Sequence, residues 1–190
     1  MDVFDEDAEP FDLTDDLDED ETDDDYLDDL EDATEEDVDL VVALYREDGQ
    51  AVAVPLEVEL ANDLEELIEQ LRRLPGDSGA DGWVAIDGDV FVICRVRGRT
   101  VEVLLNDATA ALDWPIARDV VDYLGEDVLE DDDPAPVGDL EIYSASGLGA
   151  FEMEAIATDY EADAYDQLAL IARKLRVEDE FLGAADEFGD

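Results

Sequence analysis

The chain has 190 residues, with 60 Asp and Glu against 10 Lys and Arg, no histidine, and a net charge of −50. Phosphate binding relies on Lys and Arg to displace counterions, so this balance disfavours nucleic acid or an anionic membrane as a partner. A basic protein is the better match.

The acid is unevenly spread. Residues 1–38 hold 22 of the acids and no base, which leaves 38 acids against 10 bases on residues 39–190. In the first segment self-repulsion is strong and apolar groups are sparse. Ordering its backbone would cost roughly 1–2 kcal/mol per residue with no core to offset it. The expectation is a disordered acidic tail over 1–38. Phe4, Phe11, Leu13, Leu17, Tyr26, Leu27 and Leu30 are scattered through it, a pattern found in segments that bind basic, partly apolar surfaces. A purely solubilising tail accounts for the same composition and is the preferred reading. An EF-hand loop needs a glycine at its sixth position, and no glycine precedes Gly49.

The opening MDVFDEDAEP lacks the positive n-region and apolar stretch of a secretory signal, and no later apolar run approaches about 18 residues. A cytoplasmic protein is expected. The lone Cys94 cannot form an internal disulfide, in keeping with a reducing compartment.

From residue 39 onward apolar residues are dense enough for one core. Leu40 to Arg46 and Gln50 to Val54 flank a turn at Glu47, Asp48 and Gly49 and read as a hairpin. Asn62 is placed to cap a helix carrying Leu64, Leu67, Ile68, Leu71 and Leu74, ended by Pro75 and Gly76. Trp83 to Asp87, Val90 to Arg97 and Thr100 to Leu105 follow as three strands joined by turns at Gly88 and at Gly98 with Arg99. A second helical region starts near Asn106 and Asp107, with Pro115 in its first turn, Ala117, Val120, Val121 and Leu124 along its stripe, and Gly125 at its end. Residues 126–136 read as an acidic surface loop. Two short helices are predicted near Ala150 to Thr158, with Phe151, Met153, Ala155 and Ile156, and near Asp163 to Arg176, with Leu168, Ile171, Ala172 and Leu175. Residues 179–190 are expected to be a flexible acidic C-terminus.

This order predicts a single α+β domain over 39–178. Its mainly antiparallel sheet has five strands in ββαβββα order, is covered by helices, and is followed by a small C-terminal helical segment. Within Val90 to Arg97, alternation puts Val90, Val92, Cys94 and Val96 on one face and Phe91, Ile93, Arg95 and Arg97 on the other. Both faces are expected to be at least partly covered. Roadblock- and profilin-like interaction domains share this element order, an analogy of topology that carries no function.

Catalytic templates are mostly missing. Without histidine there is no Ser-His or Cys-His pair, and one cysteine cannot supply the three or four N/S ligands of a zinc site. The sequence contains neither a GxxxxGK[ST] phosphate loop nor a GxGxxG fingerprint. No cofactor is indicated. Carboxylates are so abundant that pairs such as Asp87 with Asp89, or Asp107 with Asp113, arise readily as turns and caps. Cys94 reads as a small buried hydrophobe. Arg95, Arg97 and Arg99 form the one basic cluster, and pairing with neighbouring carboxylates is favoured over RNA contact. Trp83 and Trp114 read first as core. Trp114, beside Pro115 and near Asp107 and Asp113, is the better interface candidate, so Trp114, Asp107 and Asp113 are the proposed partner-binding residues.

The segments VVALYREDG, DLEELIEQLRRLPG, VFVICRVRG and LLNDATAALDWPIARDVVDYLG, with PVGDL and LALIARKL, resemble the actinobacterial tRNA adenosine deaminase-associated proteins. The likeness spans residues 40–176, is strongest at NDATAALDWP, and leaves out the tail. It implies an association with a tRNA adenosine deaminase. The chain lacks the HxE and PCxxC ligands of the catalytic zinc and so is not itself the deaminase.

Two functions follow as expectations. One is a non-catalytic interaction module that docks on a basic partner such as the deaminase, steered by charge. The alternative is a carboxylate-based, divalent-metal-dependent enzyme. Acidity as adaptation to a salty medium is a third account of the composition. A melting curve against salt separates it from recognition: strong stabilisation by molar salt marks adaptation or self-repulsion, whereas a saturable rise with a partner marks recognition.

Overall fold

A computed structural model describes residues 30–189, and the folded unit runs from Asp32 onward. The expected tail up to residue 29 lies outside the described residues. Its last residues do not behave as tail. The Ala33 N–H donates to Asn62 Oδ1 at 2.7 Å, Asn62 Nδ2 donates back to the Ala33 carbonyl at 3.0 Å, and Ala33 is buried. One short apolar residue meeting one Asn starts the domain ahead of residue 39.

Among the described residues six strands form one sheet, not five: β1 (Val38–Glu47), β2 (Gln50–Pro55), β3 (Ala80–Ile86), β4 (Val90–Arg97), β5 (Thr100–Leu105) and β6 (Val137–Gly138). Their order across the sheet is β2-β1-β3-β4-β5-β6, and each neighbouring pair is antiparallel. β6 has only two residues, too few to show alternation in sequence. A Cβ on Gly138 would lie 2.2 Å from the Val103 carbonyl oxygen, so only glycine lets this segment close on β5.

Five helices complete the described domain. α1 (Leu64–Arg73) and α2 (Pro115–Leu124) lie on one face of the sheet, and α3 (Ala150–Ala157), α4 (Ala164–Lys174) and α5 (Glu178–Phe188) on the other. Asp63, not Asn62, caps α1, its carboxylate accepting the Glu66 N–H at 3.1 Å; Asn62 is already engaged with Ala33. Pro115 stands at the first position of α2 and Gly125 ends it with φ 71°, as the sequence suggests.

Two cores result. Leu67, Leu71, Ile116 and Val120 pack on Val41, Ala43, Val84, Val92 and Cys94; Met153, Leu168, Ile171 and Phe181 pack on Leu40, Val42, Trp83, Phe91 and Ile93. Double coverage explains why β1 and β4 read as nearly continuous apolar runs instead of alternating with polar residues. Burial pushes the Cys94 thiol up to about 12, so it behaves as a hydrophobe.

The C-terminal residues expected to be flexible form α5, which packs against β1 and β2. Its acid hid the apolar stripe of Phe181, Ala184 and Ala185. The Phe181 ring lies 5.5 Å from that of Trp83 and 5.7 Å from that of Tyr165. Phe181→Ala should therefore lower the unfolding free energy by about 3–5 kcal/mol in urea titration; a flexible end would leave the midpoint unchanged.

Candidate functional site

Alternation along β3 and β4 puts Asp81 and Trp83 on the same face as Ile93, Arg95 and Arg97, and Asp81 stands directly opposite Arg95. At this end of the strands the apolar cover stops. Arg95 Nε lies 3.5 Å from Asp81 Oδ1, and its Nη1 donates to the Ile142 carbonyl at 2.7 Å. The guanidinium also sits over the Tyr143 ring, 5.3 Å from its centre. The Tyr143 hydroxyl donates to Asp81 Oδ2 at 2.8 Å and accepts from Trp83 Nε1 at 2.8 Å. A hydrogen-bonded chain thus runs from Trp83 through Tyr143 and Asp81 to Arg95.

Burial dominates the titration of this chain. It pushes the Asp81 carboxyl up to about 6, while the Tyr143 hydroxyl and the charges of Arg95 and Arg97 oppose it. Tyr143 is held well above the ordinary phenol range by burial and by the Asp81 charge. At neutral pH Tyr143 is a donor and Asp81 an acceptor.

This chain forms part of the wall of a cavity of about 790 Å³, which also admits Arg46 from the end of β1, Ser78 and Gly79 before β3, and Ser146 and Gly147 after Tyr143. Lys174 closes it from the end of α4 and Arg176 from the following turn. Arg46, Arg95, Arg97, Lys174 and Arg176 are half of the ten cations in the sequence. Arg97 also pairs with Glu102 at 3.3 Å and Lys174 with Glu152 at 2.6 Å. Arg95 and Arg97 therefore do pair with carboxylates, while Arg99 lies elsewhere, lining a second hollow with Arg72.

The three residues predicted to bind a partner lie together in the β5–α2 connection. Asp107 Oδ1 accepts from the Thr109 N–H at 2.9 Å and its hydroxyl at 2.6 Å, capping a 3-10 turn over Ala108–Leu112. Asp113 ends that turn, and half-buried Trp114 packs against the α1/α2 core. Neighbouring Asn106 is fully buried: it accepts the Phe91 N–H at 2.8 Å and donates to the Asp89 carbonyl at 2.9 Å. The NDATAALDWP stretch thus pins the β3–β4 turn to the end of β5. The sequence grouped Phe151 with Met153, Ala155 and Ile156 as the apolar residues of this helix; the buried ones in α3 are Met153, Ile156 and Ala157, and Phe151 is 89% exposed. With one apolar residue on almost every position of so short a helix, periodicity did not separate the faces. Among the described residues, no group of three or more Cys, Asp and Glu could hold a metal ion, and no helix is long and apolar enough to cross a membrane.

An antiparallel α+β domain with helices on both faces and a cation-lined cavity at one sheet end is the class of protein that these features define. Residues 39–178 match the model of the Rv3753c-like tRNA adenosine deaminase-associated proteins, and the chain belongs to that family. It is 34% identical over 152 residues to Protein Rv3753c of Mycobacterium tuberculosis (strain ATCC 25618 / H37Rv), covering 78% of this chain and 88% of that protein. No solved structure matches.

Because folding raises the Asp81 pKa, the native chain binds this proton more tightly than the unfolded chain between 3.8 and about 6. The contribution of Asp81 to stability is greatest on the acid side and is lost as pH rises through the native value. Asp81→Asn should reduce the fall in unfolding free energy from pH 4 to pH 6 seen in urea titrations of the native chain; identical slopes would contradict this assignment.

Proposed function

We propose that this domain is a non-catalytic interaction module that docks on a basic face of a tRNA adenosine deaminase and regulates it. The family description supports an association with such an enzyme. Direct contact is the further step, and exposed Phe151 on α3 carries it: an aromatic ring left 89% accessible, flanked by exposed Glu152 and Glu154. Lone exposed apolar residues are ordinary, but a phenylalanine this open offers a partner an anchor whose burial contributes more than any polar neighbour. Glu152 is already paired with Lys174, so Glu154 and the chain's net charge of −50 favour a cationic rim on the partner and speed encounter. With half of the chain's cations gathered in the cavity, little on the remaining surface opposes that attraction.

Titration calorimetry with the deaminase of the same cell tests the reading. Binding should be tighter at low than at physiological salt, and Phe151→Ala should weaken it by about 2 kcal/mol while leaving the melting temperature unchanged. No binding at either salt concentration would end the proposal.

A further inference from the structure

Five cations around one cavity are costly in their mutual repulsion, and Asp81 is the one carboxylate among the lining residues. They come from distant positions: Arg46 from β1, Arg95 and Arg97 from β4, Lys174 from the end of α4 and Arg176 from the turn after it. The sequence lacks a phosphate-binding motif because the cavity is assembled by the sheet register and the α4–α5 turn, with no contiguous loop. Glu102 and Glu152 offset part of the repulsion through Arg97 and Lys174. Exposed pairs of this kind contribute about 0–1 kcal/mol, so a more highly charged anion can displace them.

Arg176 adds an independent observation. Its φ is 64°, in the left-handed region, where a side chain costs about 1–2 kcal/mol and where glycine is the common residue after a helix. An arginine kept there lines the cavity against the local backbone preference, as strained residues at binding sites do. Ser78 and Ser146 hydroxyls add neutral donors to the lining.

We propose that this cavity binds a small phosphate-bearing ligand, with Arg46, Arg97 and Arg176 gripping the phosphate and Arg95, fixed by Asp81 and the Ile142 carbonyl, forming the inner wall. Guanidinium forks match phosphate oxygens two at a time, which lysine cannot do, and four of the five cations are arginine. A volume of about 790 Å³ accommodates a sugar phosphate or a nucleoside monophosphate and falls within the usual span of small-molecule sites. The site does not depend on the deaminase partnership.

The test uses the full chain in thermal-shift and calorimetric titrations with pyrophosphate, AMP, adenosine, succinate and sodium chloride. All are compared at equal ionic strength, because screening alone stabilises so acidic a protein. Pyrophosphate and AMP should raise the melting temperature saturably and above the chloride response, and adenosine should not. A double variant, Arg46→Gln with Arg176→Gln, changes two exposed side chains; it should keep its circular dichroism spectrum and lose about tenfold or more in affinity. Shifts from chloride or succinate equal to those from pyrophosphate would overturn the proposal, as would undiminished affinity in the double variant. Binding of a short single-stranded RNA without any response to pyrophosphate or AMP would overturn it in favour of a nucleic-acid contact.

Discussion

A sheet buried on both faces can accept charge only at its strand ends, and this constraint organises the molecule. The central strands β1, β3 and β4 carry apolar side chains into two cores, where a bare carboxylate or guanidinium would be prohibitively expensive. Charge is therefore pushed to the two ends. At one, Asp39, Asp87 and Asp89 gather around the β3–β4 turn with Asp163 nearby, and burial together with these like charges holds the Asp39 carboxyl above its usual range, against the Gly88 N–H. At the other, Arg46, Arg95 and Arg97 meet Asp81. The cavity gathers cations at one end of a sheet whose other end gathers carboxylates.

The same constraint decided what was legible in the sequence. Strands and helices with several apolar residues in period were readable, because double coverage turned β1 and β4 into dense apolar runs and gave α1 and α2 clean stripes ended by Pro75 and Gly125. Elements whose signal is weak or masked were not. β6 has two residues, α5 carries its Phe181 and two alanines among eight other positions dominated by acid, and Ala33 anchors the start of the domain through a reciprocal pair of hydrogen bonds with Asn62. Composition suggested solvent for the last two, but a few well-placed apolar groups were enough to hold them.

The cavity was harder to foresee for a topological reason. Arg95 and Arg97 stood out as a cluster, but Arg46, Tyr143, Lys174 and Arg176 join them only through strand register and the fold-back of the C-terminal helices. Asp81 was hidden because β3 begins at Ala80, three residues ahead of the strand that Trp83 announces. Extending the alternation backward from Trp83 by one step would have placed a carboxylate beside Arg95. Asp107 and Trp114 stood out in the sequence because local chemistry alone places them, one as the cap of a turn and the other against the α1/α2 core.

The two outer strands carry one more consequence. β2 lies against α5, and β6 is the two-residue strand Val137–Gly138, next to the acidic stretch 126–136. β6 is too short to present a long open ladder of amide and carbonyl groups for another chain to extend. On that border whatever associates with the protein must recognise side chains, not borrow its backbone.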